Sequence, residues 1–246
     1  MPALDGRRIV LTRSAEDMAV WARALDAAGA VVTELPCIRS ETIADAERAA
    51  AFIAALPEAD WLVFTSRRGV DAFAALQAPP PGGHTRIAAV GRATAERAAA
   101  VCGRVDLVSA GTAAVLGRQL TVDPRFARGQ RCVLAVAENA SNELSDTLAA
   151  AGAHCLRFDL YRTIPVSSNE PKTRWSSLAA EAVIFASPTA VTGFVNRIEL
   201  DGDCDIYSIG PSTSAAIRKL GLKLTAEAET PSLEAIIDAI AESMHV

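Results

Sequence analysis

The chain has 246 residues, too many for one average domain and a comfortable length for two of roughly 100–150 residues. Half of the residues are apolar and 22% are charged, which excludes a disordered chain. A net charge of −5 at pH 7 excludes a general nucleic-acid surface and still allows a locally positive site for an anionic small ligand.

Short β-rich runs alternate with Ala-rich helical stretches. Strands are predicted at Arg8–Thr12, Val31–Leu35, Trp61–Thr65, Ile87–Val90, Val105–Leu107, Cys132–Val136, His154–Phe158, Ala182–Phe185, Asp205–Ile209 and Leu222–Thr225. The first helix is predicted in SAEDMAVWARALDAAGA. Ser14 followed three residues later by Asp17 is a capping-box pattern, Met18, Trp21, Leu25 and Ala28 mark one face, and Gly29 supplies the stop. Such alternation predicts an α/β fold with parallel sheets covered by helices on both faces.

The five cysteines (Cys37, Cys102, Cys132, Cys155, Cys204) are scattered, without metal-ligand spacing, and read as small core residues of a protein kept in a reducing cytoplasm. His84 beside PPPGG, His154 on a predicted strand and His245 near the C-terminus form no metal-binding pattern. MPALDGRRIVLT has no apolar leader, and no run of about 18 apolar residues occurs, so the expectation is a soluble protein with no membrane or nucleic-acid partner.

The chain also repeats itself. Residues 8–38 align without gaps on 131–161, FTSRRGVDAF (64–73) on FASPTAVTGF (185–194), VGRATAERA (90–98) on IGPSTSAAI (209–217), and SAGTAAVLG (109–117) on EAETPSLEA (227–235). Four collinear matches at a spacing of about 120 residues indicate a duplication, too long in period for a solenoid and right for two related domains.

Ligands of open α/β sheets bind beyond the carboxyl ends of the strands, and each repeated turn lies at such an end and opens a helix. Helix N-termini expose backbone N–H groups at the positive end of the helix dipole, a ready anion site, and two such domains invite a cleft. GRATAER and GPSTSAA match no nucleotide-binding pattern; they read either as anion-binding turns or as tight turns in which Gly91 and Gly210 permit close packing while Thr94 and Thr213 cap the helices. Ser66 and Ser187 lack the surroundings of a nucleophile and read as capping or ligand-binding hydroxyls. Tyr161 breaks the repeat, because the alignment sets it opposite Ile38. It reads either as a half-buried tyrosine bonded to backbone or as a proton donor.

The ordered set LTR, DWLVFTSRRGV, AAVGRATAE, LYRTIP, VIFASPTAV, YSIGPSTSAAIRKLGL and ETPSLEAI resembles the uroporphyrinogen-III synthase family over essentially the whole chain. The resemblance implies two similar flavodoxin-like domains joined by two crossing strands, one built from residues 1–37 and 166–246, the other from 39–162, with 38 and 163–165 crossing between them. It implies a cofactor-free, monomeric cytoplasmic enzyme that closes hydroxymethylbilane, a linear tetrapyrrole polycarboxylate, to uroporphyrinogen III with inversion of ring D, in transient contact with hydroxymethylbilane synthase. Tyr161 is the implied proton donor. Arg13, Thr65, Ser66, Arg67, Gly91, Arg92, Thr94, Ser187, Pro188, Thr189, Gly210, Pro211, Ser212 and Thr213 are the implied substrate contacts, with Arg162 a further positive candidate. Two stretches depart from the family pattern: Ala137-Glu138-Asn139 stands where an Arg–Gly–Glu-like turn is common, and Arg67-Arg68 replaces a small or amide residue. Two rival readings share the same turns: a closing binder of an anionic small molecule without chemistry, and a diverged regulatory module.

Overall fold

A computed structural model of the chain describes residues 3–167 and 170–244; His245 and two residues of the SSNEPK loop, Ser168 and Asn169, lie outside them. In chain order the elements are β1 (Arg8–Leu11), α1 (Ala15–Ala27), β2 (Val31–Glu34), β3 (Ile38–Thr42), α2 (Ala46–Ala55), β4 (Trp61–Phe64), α3 (Arg67–Ala75), β5 (Arg86–Val90), α4 (Arg92–Cys102), β6 (Leu107–Ser109), α5 (Ala113–Val122), β7 (Arg131–Ala137), α6 (Glu143–Ala150) and β8 (His154–Pro165). They continue with β9 (Thr173–Arg174), β10 (Ala182–Phe185), α7 (Pro188–Arg197), β11 (Ile198–Glu199), β12 (Asp205–Ser208), α8 (Pro211–Lys219), β13 (Ala226–Glu227) and α9 (Leu233–Ser243).

These elements form two compact units. The first takes in the chain up to Arg39 and again from Thr163 onward, the second Ser40–Arg162, so the chain passes between them within β3 and β8. The first unit holds a parallel sheet of order β13-β12-β10-β1-β2. The other sheet runs β3-β8-β7-β4-β5-β6, parallel from β8 to β6. The two orders superpose element for element: β1-α1-β2 plays the part of β7-α6-β8, β10 of β4, β12 of β5 and β13 of β6. This is the pairing of the four sequence repeats, and the α/β duplication is thereby realised in the sheets.

Side-chain alternation explains why helices cover both faces. In the first unit Ile9, Leu11, Ala182 and Ile184 pack under α1 and α9, while Val10, Val183, Phe185 and Ile206 pack under α7 and α8. In the second, Leu62, Phe64, Ile87 and Val133 face α2, α3 and α4, and Trp61, Val63, Ala88 and Leu134 face α5 and α6. Fully buried strands of this kind read as unbroken apolar runs, as WLVF and AVIF do.

The first helix follows the predicted face, with Met18 and Leu25 buried and Trp21 and Ala28 packed beside them, and Gly29 ends it at φ 95°. Its capping box does not form. Ser14 is the N-cap, but its hydroxyl donates to the Asp17 carboxylate at 3.2 Å rather than accepting an amide.

Two predicted edge strands are displaced. Val105–Leu107 gives way to β6, and Leu222–Thr225 to β13. The cause is the same in both units. The Asp106 side chain accepts the Ile87 amide at 2.8 Å, and the Thr225 hydroxyl accepts the Ile206 amide at 3.0 Å, so a side chain stands in for the first ladder bond and each strand begins at the next residue, Leu107 or Ala226. The predicted His154–Phe158 strand runs instead for twelve residues to Pro165.

Burial pushes the Cys37 and Cys204 thiols up to about 12 and Cys102 up to about 11. Cys132, in register with Cys155 across β7 and β8, is also pushed up, by the hydrogen bond to Cys155 and by burial. These four thiols stay protonated at neutral pH, as core residues do.

Candidate functional site

Because the strands are parallel, the turns leaving β4, β5 and β7 open at one edge of the second unit. Those leaving β1, β10 and β12 open at the corresponding edge of the first. FTSRRGVDAF and FASPTAVTGF occupy equivalent positions there. Ser66 is the N-cap of α3 (φ −160°, ψ 161°) and accepts the Gly69 amide at 3.1 Å. Ser187 is the N-cap of α7 (φ −165°, ψ 156°) and accepts the Ala190 amide at 3.2 Å. Behind each turn a phenylalanine pair locks helix to strand, Phe64 with Phe73 at 5.6 Å and Phe185 with Phe194 at 5.2 Å. Thr65 lies half-buried between β4 and the cap; Thr189, half-buried, occupies the second position of α7.

The second unit adds a phenol to this frame. Tyr161, on β8, is only 7% exposed, and its Oη lies 2.7 Å from Ser66 Oγ. Its carbonyl accepts the Glu138 amide at 2.8 Å, which fixes the backbone from the β7 side. The phenol therefore meets a side-chain hydroxyl held at a helix N-terminus. Helix α3 reaches this depth because Gly69 carries no side chain: a Cβ there would stand 2.8 Å from the Ala135 carbonyl oxygen of β7.

The glycine turns differ from their predicted form. Gly91 (φ 77°) and Gly210 are themselves the N-caps of α4 and α8, without side-chain caps. Thr94 and Thr213 sit one turn in, both buried, and cap nothing. Among the described residues the buried Thr213 hydroxyl oxygen has no hydrogen-bond partner. Ser212 and Pro211 are exposed at the start of α8, and Pro188 at the start of α7.

Three of the predicted cations are held by carboxylates. Arg13 bonds Asp17 at 3.4 Å and lies 4.5 Å over the Trp21 ring. Arg92, 92% exposed, bonds Glu96 at 2.7 Å. Arg162 chelates Glu41 at 2.6 and 2.8 Å, and that carboxylate holds the guanidinium pKa above its ordinary value. Arg67 is exposed at the first position of α3. Among the described residues no group of three or more His, Cys, Asp or Glu side chains is placed to hold a metal, and no helix is long and apolar enough to cross a membrane.

Residues 19–238 match the family described as "Uroporphyrinogen-III synthase HemD". The chain belongs to the uroporphyrinogen-III synthase family. A chloroplastic uroporphyrinogen-III synthase of Oryza sativa subsp. japonica is 27% identical over 96% of this chain and 80% of its own length. The uroporphyrinogen-III synthase of Synechococcus elongatus is likewise 27% identical, over 96% of this chain and 95% of its own. The crystal structure of uroporphyrinogen-III synthetase from Helicobacter pylori 26695 shares the fold, with a TM-score of 0.58 at 17% identity over 97% of this chain and 99% of the other.

Within this synthase-family framework, two groups at the strand ends were not foreseen. At the Ala137-Glu138-Asn139 turn a guanidinium arrives from the neighbouring strand. Arg157 of β8 bonds the Ala137 carbonyl at 3.1 Å and the Asn142 side chain at 2.7 Å while paired with Asp159 at 2.9 Å. Its position on a strand, next to an acidic partner, disguised it as a surface residue. In the first unit Ser208 and Ser214, both fully buried, bond each other at 2.6 Å, and Ser214 donates to Glu227. The equivalent positions of the second unit, Ala89 and Ala95, carry no hydroxyl, so only a comparison of the repeats marks this polar chain.

Proposed function

We propose that this chain catalyses the family's reaction, closing hydroxymethylbilane to uroporphyrinogen III with inversion of ring D in porphyrin biosynthesis, as a cytoplasmic monomer that receives its unstable substrate from hydroxymethylbilane synthase. The observation that carries the assignment of roles is the Tyr161 hydroxyl held 2.7 Å from a helix-capping serine at the carboxyl edge of the second unit. The substrate's carboxylates are anions, and the N-terminal turns at Ser66, Gly91, Ser187 and Gly210 offer them amides at the positive ends of four helices. Thr65, Arg67, Arg92, Pro188, Thr189, Pro211 and Ser212 line those turns, Thr94 and Thr213 lie buried one turn behind them, and Arg13 follows β1. Distributed contacts of this kind recognise a polyanion without a basic surface.

Tyr161 acts as general acid. It gives its proton to the departing hydroxyl, the carbon–oxygen bond breaks, water leaves, and a cationic azafulvene faces the tyrosinate. Ring D attacks through its substituted carbon to form a spiro intermediate, which fragments and closes again in inverted orientation. The proton released when ring D regains aromaticity restores the phenol, so the enzyme ends as it began. Holding one conformation of the bilane is the larger part of the task, because the free compound closes by itself without inversion.

The test supplies freshly generated hydroxymethylbilane and resolves the oxidised products by isomer. The chain is expected to yield the type III isomer well above the spontaneous rate; type I product alone would overturn the proposal. Tyr161→Phe is expected to lower kcat by about 100-fold or more while remaining folded, and unchanged turnover would remove Tyr161 from the chemistry.

A further inference from the structure

We infer that Ser66 is a positioning residue whose hydroxyl donates to Tyr161 Oη and stabilises the tyrosinate, so that the N-terminus of α3 tunes the acidity of Tyr161 through one serine. The inference rests on Tyr161 being the proton donor but concerns a different residue and a different observable. Ser66 Oγ accepts the Gly69 amide at 3.1 Å, and Tyr161 Oη lies 2.7 Å from the same oxygen. A neutral phenol and a serine can share their contact in either direction. A tyrosinate has no proton to give, so in the ionised state the bond runs only from Ser66 to Tyr161. The Gly69 amide then polarises the serine, and the helix dipole favours negative charge at this end. The result is a relay of amide, hydroxyl and phenolate that strengthens as the proton leaves, which is what a general acid requires.

The relay is held from three sides. The cap bond fixes the Ser66 side chain, the ladder of β7 and β8 fixes Tyr161, and the bare Gly69 sets how deeply α3 sits over β7. The duplicated turn lacks it. Ser187 repeats the cap, but the position matching Tyr161 is Ile38, which packs half-buried among apolar side chains. The serine is thus kept in both units as a cap and acts on a phenol in one.

The chain contains two tyrosines, Tyr161 and Tyr207, so isotope-labelled tyrosine followed by NMR at the ring Cζ gives two signals, and Tyr161→Phe identifies its own by deletion. In Ser66→Gly, which removes the hydroxyl and keeps a good N-cap residue, the titration midpoint of Tyr161 is expected to rise by about one pH unit, the value of a lost hydrogen bond to a charged group. Tyr207 in the same sample should not move, and Ser66→Thr should restore the midpoint. The pH profile of kcat for Ser66→Gly should shift its alkaline limb upward by a similar amount. A Tyr161 midpoint that stays put in Ser66→Gly, or one that lies beyond reach already in the unaltered chain, overturns the inference. Full turnover in Tyr161→Phe would instead overturn the general-acid role and leave the titration result standing, so the two failures are told apart.

Discussion

The two units make the same turn with different surfaces. In the second, the first positions of α3 and α4 carry Arg67 and Arg92; in the first, the equivalent positions of α7 and α8 carry Pro188 and Pro211. Proline fits the first helical position well and rigidifies it, but it offers neither charge nor N–H. The phenol follows the same division, Tyr161 against Ile38. The polar chain that runs from the buried Ser208 and Ser214 out to the exposed Glu227 belongs to the unit with the prolines. Duplication preserved the scaffold of each turn, cap and phenylalanine pair alike, and left the exposed first residue and the strand end open to specialise. The phenol and the charged first positions therefore fall in the second unit, and the proline-started helices in the first.

The equivalence of the scaffolds can be broken at three levels. The largest effect is expected at the rings: Phe73→Ala and Phe194→Ala should each cost about 3–5 kcal/mol in chemical denaturation, because each ring is buried against two aromatic neighbours. Costs differing by more than about 2 kcal/mol would mean that one unit does not depend on its pair as the other does. Next come the tight glycines. A Cβ on Gly193 would collide with the Cys37 carbonyl oxygen, which also accepts the Val166 amide, whereas one on Gly69 meets the Ala135 carbonyl at 2.8 Å. Gly193→Ala should therefore cost about 3 kcal/mol and Gly69→Ala about 1, and the reverse order in unfolding midpoints would contradict the packing described. The smallest effect is the cap itself. Ser187→Ala should lose about 1 kcal/mol of stability and leave the Tyr161 titration in place, in contrast to Ser66→Gly.

Most of the architecture was legible because it is written locally. The apolar runs WLVF and AVIF and the Ala-rich helices act within a few residues of chain, and the repeat pairs such local signals across about 120 residues. The edge strands were misplaced because β13 is two residues long and β6 three, and in each the first ladder bond is made by a side chain, Asp106 or Thr225. The caps at Thr94 and Thr213 were misread because a hydroxyl near a helix start resembles a cap, while a glycine already holds that position. The contact of Ser66 with Tyr161 spans 95 residues and depends on how closely α3 approaches β7, a depth set by the missing side chain of Gly69. Sequence marked both partners separately and could not join them.

The path of the chain through the units has a consequence for its synthesis. A ribosome delivers β1 first, with Ile9, Val10 and Leu11 all destined for complete burial, yet one neighbour of β1 in the sheet is β10, which begins at Ala182. Ser40–Arg162 is contiguous and can close as soon as it has emerged. The opening segment must meanwhile wait with its apolar strand uncovered. The first unit's sheet therefore cannot be completed until β10 has been made, after the whole of Ser40–Arg162.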